Sequence, residues 1–365
     1  MTAAVLTKFG GPEVLELHHD WPRPRPKSHQ VVVKVTAAAV NNTDIWTRQG
    51  AYGLPEDPSA QAGWLGSFDF PRIQGGDIAG VVVEVGPGVT GELVGRRVLV
   101  DPALYGSEDE NASPVGYLGS EADGGFAQYV AVDASHTHDV QDSPLSDEQL
   151  ACLPVAFGTA IGMLERANVH EGETVLVTGA SGGVGLALVQ LAAARGSRVL
   201  AITTGSKGDA VLANGAAQVF YRDSADIFAL IKAAAPGGLD VVADIAGGPG
   251  LAAMMPMLRD NGRWVIAGAV AGPVVEFDLR RLYLHNVQLI GSSMHTRVHF
   301  RRLVELARGG DVRPEVSSTF ALAEIAEAQK EFSTRQHIGK IVLLPHQGTL
   351  TDASNRSSRM PTTKS

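Results

Sequence analysis

The chain has 365 residues, of which 44% are hydrophobic and 19% charged, and its formal net charge is -9. This length exceeds the size at which one hydrophobic core stops growing, so we expect two domains. The acidic balance gives no electrostatic footprint for nucleic acid or an anionic membrane, and no apolar run approaches the roughly 18 residues that would span a bilayer. The single cysteine permits no internal disulfide, and the start of the chain does not resemble a signal peptide, so we expect a cytoplasmic protein.

Short runs rich in β-branched residues dominate the first 150 residues, with Gly, Pro and Asp clusters between them. The predicted strands are Ala3 to Leu6, Val14 to Leu17, Gln30 to Ala37, Gly80 to Val85, Arg97 to Val100 and Phe126 to Val130. This rhythm predicts a compact, mostly antiparallel β domain. Two long polar segments, residues 51–70 and 101–123, interrupt it, and their length indicates function or mobility rather than simple connection.

After about Leu150 the pattern changes to strands that alternate with amphipathic segments, which predicts an α/β domain with a doubly wound parallel sheet. The predicted strands here are Thr174 to Thr178, Arg198 to Thr203, Val241 to Ile245, Trp264 to Ala267 and Val287 to Gly291. The predicted helices are Leu186 to Arg195, Lys207 to Asn214, Val298 to Ala307 and Leu322 to Thr334, followed by a last strand at Lys340 to Leu344. Beyond Pro345 the polar tail predicts disorder.

The strongest chemical signal is a glycine turn between the strand that begins at Thr174 and the alanine-rich helix after it. Its glycines are Gly179, Gly182 and Gly185, spaced so that backbone amides at a helix N-terminus can approach a pyrophosphate. A tight strand-to-helix turn would use the same residues. The correct order of first strand, helix and second strand favours dinucleotide binding.

The end of the second strand indicates which dinucleotide binds. NAD sites usually place an acid there to accept the ribose hydroxyls. This chain instead has hydroxyls and a cation, at Thr204, Ser206 and Lys207. We therefore predict NADPH, although Lys207 could also be a solvated residue in the first turn of a helix.

Three short motifs, together with the glycine turn, carry a family resemblance. They are Gly75-Gly76-Asp77 before the strand GVVVEV, Asn41-Asn42-Thr43-Asp44, and Leu153-Pro154-Val155-Ala156. Over residues 1–345 the chain resembles the medium-chain dehydrogenase/reductase superfamily. Zinc-dependent members carry metal ligands at the positions of Asn41, Gly76 and Val155, and four cysteines near residues 101–123. None of these ligands is present in this chain, so we predict no metal site.

The resemblance is to the zinc-independent branch, the quinone oxidoreductases and enone reductases, although Gly76 stands where serine is common. It implies a GroES-like catalytic domain over residues 1–150, a Rossmann domain over 151–293, a return to the catalytic domain over 294–345 and a disordered tail over 346–365. It also implies frequent homodimers that form through the edge of the nucleotide-domain sheet. The predicted cofactor contacts are Asn41, Thr159, Gly179, Ser181, Gly182, Gly183, Val184, Thr204, Ser206, Lys207, Tyr221 and Gly268.

Without a metal, hydride transfer suits an acceptor whose negative charge is already delocalised, such as a quinone or an α,β-unsaturated carbonyl compound. The candidate catalytic donors are Asn41, Thr43 and Tyr52. Thr43 lies where zinc-dependent relatives keep a proton-relay hydroxyl, but it could instead cap a helix. Tyr52 lies on a loop that lines the active site in relatives, and it could equally be an interfacial aromatic residue.

Other residues are open to two interpretations. Trp64, Phe68 and Phe70 could form the wall of an apolar substrate site or simply pin a long loop. His295 and His299 lack the glutamate of an HExxH zinc motif, so we expect surface or loop histidines. We expect Cys152 to be a buried structural thiol.

Two other functions remain open. One is a metal-free NADP(H)-dependent carbonyl reductase or alcohol dehydrogenase, which would form an alcohol as its product. The other is a nucleotide-binding redox sensor with little turnover.

Overall fold

The structure is a computed structural model and describes residues 1–54 and 56–347. The chain forms two compact units. The first contains Met1–Leu104, Val115–Pro154 and the chain from Val316 onward, and the second contains Tyr105–Pro114 and Val155–Glu315. None of the helices within the described ranges has the length and apolar character that a bilayer span requires.

The first unit is built mainly from strands. Its strands are β1 (Ala3–Leu6), β2 (Leu15–His18), β3 (Gln30–Ala39), β4 (Arg72–Ile73), β5 (Asp77–Val85), β6 (Arg97–Val100), β7 (Ala103–Tyr105), β8 (Pro114–Tyr117), β9 (Tyr129–Asp133) and β10 (Thr137–Asp139). Strands β7 and β8 form a hairpin, and the tip of this hairpin groups with the second unit. Its first two helices are α1 (Asn42–Gln49) and α2 (Asp147–Ala151).

The second unit alternates strands with helices. In chain order these are α3 (Ala156–Arg166), β11 (Thr174–Val177), α4 (Gly183–Ala194), β12 (Arg198–Thr203), α5 (Gly208–Ala213), β13 (Gln218–Tyr221), α6 (Ile227–Ala234), β14 (Leu239–Asp244), α7 (Gly250–Met254), β15 (Leu258–Ile266), α8 (Leu279–Leu284), β16 (Gln288–Gly291) and α9 (Arg297–Gly309). The chain then returns to the first unit with β17 (Val316–Ala321), α10 (Ile325–Thr334) and β18 (Lys340–Leu344).

The main sheet of the first unit has the strand order β10-β6-β5-β3-β18-β17, and β9 also pairs with β3. Strand β3 runs antiparallel to both β5 and β18. The register pairs Ala39, the last residue of β3, with Asp77 at the start of β5 and with Val342 near the start of β18. Three chain segments that are far apart in sequence therefore meet at this end of the sheet.

The sheet of the second unit has the order β13-β12-β11-β14-β15-β16, and every neighbouring pair is parallel. The order reverses between β11 and β14, which is where parallel doubly wound sheets bind their ligands. Its strands carry apolar residues on both faces, as expected when helices cover both sides. The predicted doubly wound parallel sheet is confirmed.

Several predicted boundaries differ from the structure. The predicted strand Phe126 to Val130 is found at β9, and sequence reasoning missed α1 and β13. Residues 294–315, predicted to belong to the catalytic domain, group with the second unit: Arg166 of α3 donates to the Met294 carbonyl oxygen, and Gln190 of α4 donates to the Arg313 carbonyl oxygen. The return to the first unit starts at Val316. Residues 348–365 of the predicted disordered tail lie outside the described residues.

Candidate active site

A buried ion pair lies where β3, β5 and β18 meet. The Lys340 ammonium is 2.9 Å from the Asp77 carboxylate, and the two side chains are 4% and 0% exposed. The same ammonium donates to the Val40 carbonyl oxygen at 2.9 Å and to the side-chain oxygen of Asn41. Because a buried charge is costly unless it is paired and hydrogen-bonded, these contacts fix the positions of both charges.

The side-chain amide of Asn41 is held within this network. Its nitrogen donates to Asp77 at 2.8 Å and to the Ala39 carbonyl oxygen at 3.3 Å, while its oxygen accepts from Lys340. Both amide hydrogens are therefore donated to acceptors within the first unit. Asn41 therefore holds these groups in place. Its contact with the cofactor stays a prediction.

Helix α1 begins directly after Asn41, with Asp44 in its first turn. The Asn41 backbone N–H donates to the Asp44 carboxylate at 2.7 Å, so Asn41 and Asp44 close the start of the helix. Burial raises the pKa of Asp44 from its ordinary value of 3.8 to about 7; the nearby Asp77 charge also raises it, and the Lys340 ammonium opposes the rise. A carboxyl that titrates near neutral pH therefore lies beside the ion pair.

Thr43 and Tyr52 are brought together, as expected of two groups in one site. The Tyr52 hydroxyl donates to the Thr43 hydroxyl at 2.7 Å. Thr43 is not the helix cap, because Asn41 occupies that position. Burial, more than any other cause, raises the pKa of Tyr52, which keeps the phenol protonated. Since Tyr52 gives its hydrogen to Thr43, the Thr43 hydrogen is left for a further acceptor.

The second long segment, residues 101–123, contains the hairpin of β7 and β8 and brings Tyr117 against Gly76. A Cβ atom placed on Gly76 would overlap the Tyr117 hydroxyl and the end of its ring. The phenol thus fills the space in which a side chain at position 76 would begin. This gives a physical reason for glycine at position 76 of this chain. Sequence reasoning missed Tyr117, because no local pattern connects it with Gly76.

The aromatic residues of the first long segment serve different purposes. Phe68 and Phe70 pack with each other at 4.8 Å between ring centroids, and both contact Phe9. They pin the loop to the core, which was one of the two interpretations. The ring of Trp64 lies 5.9 Å from that of Tyr117, so Trp64 belongs to the neighbourhood of the site.

Metal ligands are scarce in this region. Across residues 1–54 and 56–347, no group of three or more His, Cys, Asp or Glu side chains is placed to hold a metal ion. Cys152 is fully buried, as predicted, and burial raises the pKa of its thiol. The charged groups at the sheet end, Asp77 and Lys340, bind each other instead.

The glycine turn of the second unit joins β11 to α4. Gly179 has φ +59°, a left-handed conformation that glycine adopts without strain. A Cβ atom on Gly185 would overlap the Gly179 carbonyl oxygen, so the turn closes tightly. Gly182 precedes the helix without a side-chain cap, and little surrounds the place where its Cβ would be. The free amides at this helix start suit a pyrophosphate.

The other predicted cofactor residues of the second unit lie on several elements. Ser181 and Gly182 end the turn, Gly183 and Val184 start α4, Thr159 is buried in α3, and Gly268 follows β15. Gly268 approaches a backbone carbonyl so closely that a Cβ atom there would overlap the Ile245 oxygen. At the edge formed by β11, β14 and β15, glycine thus allows two backbone segments to approach each other closely.

A positively charged corner lies after β12 and β13. Thr204, Ser206 and Lys207 follow β12, and Tyr221 ends β13 beside them, with its hydroxyl near Gly208. Lys207 is only 8% exposed, so it is not the solvated helix residue of the alternative interpretation. Burial lowers its pKa, and the neighbouring Arg222 guanidinium lowers it further. Sequence reasoning missed Arg222, because the two cations are separated by a whole helix and strand.

Asp244, at the end of β14, is a second residue that the sequence did not single out. Its buried carboxylate accepts from the Thr178 hydroxyl at 2.6 Å and from the backbone N–H groups of Ala246 and Gly247 at 2.9 and 3.0 Å. It therefore fixes the loop after β14 against the end of β11. A signal was present, since an acid at the end of an apolar parallel strand faces the ligand edge of the sheet.

Surface or loop histidines were predicted, and His295 lies in a loop as expected but is buried rather than at the surface. This side chain is fully buried and packs against Phe300, with ring centroids 4.9 Å apart. It lies just before α9 rather than on the helix, and Gly158 leaves room for its ring. His299 caps the helix start, and burial lowers its pKa.

Comparisons with known proteins agree with this geometry. Residues 27–142 match the alcohol dehydrogenase GroES-like domain, and residues 183–308 match the zinc-binding dehydrogenase family. The quinone oxidoreductase of Rattus norvegicus is 31% identical over 354 residues, which cover 94% of this chain and 98% of the relative. The acryloyl-coenzyme A reductase of Metallosphaera sedula is 32% identical, with 88% and 93% covered.

A crystal structure from Sinorhizobium meliloti 1021, provisionally described as an alcohol dehydrogenase, is also similar. It shares 44% identity with this chain at a TM-score of 0.91, and the match covers 94% of this chain and 96% of that one. The predicted combination of a GroES-like unit with a Rossmann unit is therefore confirmed.

The substitution Lys340→Met tests the buried ion pair, because it leaves the Asp77 carboxylate buried without its cation. We expect the free energy of unfolding to fall by about 3–5 kcal/mol in chemical denaturation. Lys340→Met combined with Asp77→Asn should regain part of this loss. The control is Lys330→Met, which removes an exposed lysine of α10. A loss below about 1 kcal/mol for Lys340→Met, the size typical of a surface pair, would contradict the assignment.

The raised pKa of Asp44 predicts a pH dependence of stability. Between pH 4 and 7 the folded carboxyl holds a proton that the unfolded chain has lost, so the protein loses stability as the pH rises through this range. A pKa raised from 3.8 to about 7 corresponds to about 4 kcal/mol at most. Asp44→Asn should lack this loss, so its stability relative to the wild type should rise with pH. Urea denaturation at several pH values measures the difference, and a flat difference would refute the prediction.

Proposed function

The chain belongs to the medium-chain dehydrogenase/reductase superfamily, and on that premise we propose a zinc-independent, NADPH-dependent oxidoreductase. It transfers hydride to a quinone or to the β-carbon of an α,β-unsaturated carbonyl compound. This proposal is carried by the side chains around the positions where the resemblance places metal ligands. Asn41, Asp77 and Lys340 bind one another there, and Tyr117 fills the space beside Gly76. The donors and acceptors of the first three residues are directed at one another, and together these groups do not form a tetrahedral metal site.

The chemistry of the donors favours an acceptor with delocalised charge. A plain ketone or aldehyde places a full negative charge on one oxygen during hydride transfer, which a metal would stabilise as a Lewis acid. A quinone or an enone spreads that charge over several atoms. The hydroxyls of Thr43 and Tyr52 are neutral donors, and the raised pKa of Tyr52 keeps it so. Such donors suffice for a delocalised anion.

NADPH is the cofactor that the second unit fits. The glycine turn would hold its pyrophosphate, and the pair of cations Lys207 and Arg222, with the hydroxyls of Thr204 and Ser206, would hold its 2′-phosphate. A Cβ atom on Gly205 would meet nothing within 4 Å, so there is room beside these residues. When bound, the cofactor supplies the hydride. The fit is supported by burial and the Arg222 charge, which both lower the pKa of Lys207; an anion beside Lys207 would oppose this change.

A second candidate is a metal-free carbonyl reductase or alcohol dehydrogenase. The similarity to proteins that carry alcohol dehydrogenase names favours it. The two enzymes would differ in their product, a saturated carbonyl compound or an alcohol. A redox sensor with little turnover is the least supported, because it leaves the Thr43 and Tyr52 pair unexplained.

We further propose that the protein is a cytoplasmic homodimer that pairs through β16. The strand lies at the edge of the second sheet, and nearby α8 exposes Tyr283 and Leu284 by 63% and 66%. Exposed apolar side chains beside an open strand edge suit a second copy of the same surface. The single cysteine is typical of a reducing compartment. Sedimentation equilibrium tests the dimer, and a monomer at micromolar concentration would refute it.

Metal-stripped protein should oxidise NADPH in the presence of 1,4-quinones or conjugated enones, and only slowly in the presence of simple ketones or aldehydes. The reason is that hydrogen bonds alone must stabilise the anion that forms. The loss of NADPH absorbance measures the rate, with NADH assayed alongside. Turnover confined to plain carbonyl compounds would favour the carbonyl reductase. Binding of NADPH without any turnover would favour the sensor.

Lys207→Ala should raise the KM for NADPH by roughly ten- to hundredfold and leave the KM for NADH nearly unchanged, since it removes a charged partner of the 2′-phosphate. Arg222→Ala should act in the same direction with a smaller effect, because its side chain is more exposed. Lys232→Ala, an exposed lysine of α6, is the control for lost positive charge. An equal rise of both KM values would mean that Lys207 supports the fold rather than the phosphate.

A further inference from the structure

Tyr117 has a buried hydroxyl whose hydrogen has no acceptor. The residue is 2% exposed, and its phenol hydrogen meets no acceptor within the described part of the chain. Buried polar groups are nearly always hydrogen-bonded, because an unpaired donor lowers stability. A phenylalanine would fill the same space without this cost. An unpaired hydroxyl at such a position therefore calls for an explanation.

The hydroxyl lies at the centre of the candidate active site. It takes the place in which a side chain at position 76 would begin. Burial raises the pKa of Tyr117 well above its ordinary value; the charges of Asp44 and Asp77 raise it further, and the Gly76 backbone N–H opposes the rise only in part. The phenol thus stays protonated at neutral pH, and it remains a donor.

Tyr117 differs in this respect from Tyr52 and Asn41. The Tyr52 hydrogen is given to Thr43, and both amide hydrogens of Asn41 are held by Asp77 and Ala39. The Tyr117 hydroxyl gives its hydrogen to no group within the described part of the chain. In this structure it is covered, and the half-buried Trp64 ring lies 5.9 Å away, ring centroid to ring centroid.

We propose that Tyr117 is a further catalytic residue, whose hydroxyl donates a hydrogen bond to the carbonyl oxygen of the acceptor. This inference rests on the proposed function. For an enone, the β-carbon gains a hydride from the nicotinamide, the electron pair of the C=C bond moves toward the carbonyl oxygen, and the cofactor becomes NADP+. The resulting enolate oxygen accepts the hydrogen bond from Tyr117, and a solvent proton adds to the α-carbon. A donor that faces developing negative charge stabilises the transition state more than the substrate.

The variant Tyr117→Phe separates catalysis from folding, because it removes only the unpaired hydroxyl. We expect its unfolding temperature to equal or exceed that of the wild type, since the hydroxyl donates no internal hydrogen bond. We expect kcat/KM for an enone to fall by roughly ten- to hundredfold, mostly through kcat. Gain or retention of stability together with loss of activity is a result that a merely structural role would not give.

The matched control is Tyr129→Phe, which removes a phenol hydroxyl from β9 in the same unit and should change neither value. An unchanged kcat/KM in Tyr117→Phe, while the wild type turns over enones or quinones, would overturn the inference and leave the proposed function intact. A fall of several degrees in its unfolding temperature would also overturn it, because the hydroxyl would then have an internal partner. A wild type that turns over neither acceptor would refute the proposed function and this inference together.

Discussion

The buried ion pair between Lys340 and Asp77 is the constraint on which the first unit depends. Asp77 and Asn41 are 36 residues apart, and Lys340 and Asn41 are 299 apart, yet one network of hydrogen bonds joins them where three strands meet. Both charges are out of water, so each must keep its partners or destabilise the fold. The network holds Asn41, and Asn41 in turn fixes the start of α1 through Asp44. The position of Thr43, and through it that of Tyr52, follows from this arrangement.

The second unit was largely predictable from the sequence because its signals are local. The glycine turn, the strand before it and the helix after it lie within one short stretch, and the second strand is found as predicted. The candidate site of the first unit was only partly predictable. Asn41 and Thr43 were marked by a short motif, but Lys340 is an isolated cation at the start of an apolar strand. Its partner is set by the antiparallel register of β3 with β18, which no local pattern reveals.

Tyr117 and Gly76 show the same limit in a different form. The family resemblance predicted that no metal ligand stands at Gly76, but the sequence did not reveal which side chain fills the space there. That side chain is Tyr117, which lies on the hairpin of β7 and β8. The sequence did not predict this hairpin, because it lies within a long polar segment. Arg222 was missed for a related reason, since it reaches Lys207 only when β12 and β13 pair in parallel. Interactions between distant segments, rather than local propensity, decide which polar groups share a site.

On the function that we propose, the site stabilises negative charge with neutral hydroxyls rather than with a metal. The most direct test follows the hydride itself: metal-stripped protein is incubated with NADPH carrying deuterium at the transferred position of C4 and with a conjugated enone, and the product is analysed by NMR. We predict deuterium on the β-carbon of a saturated ketone. Deuterium on the carbinol carbon of an allylic alcohol would contradict this mechanism, because hydride would then have reached the carbonyl carbon directly.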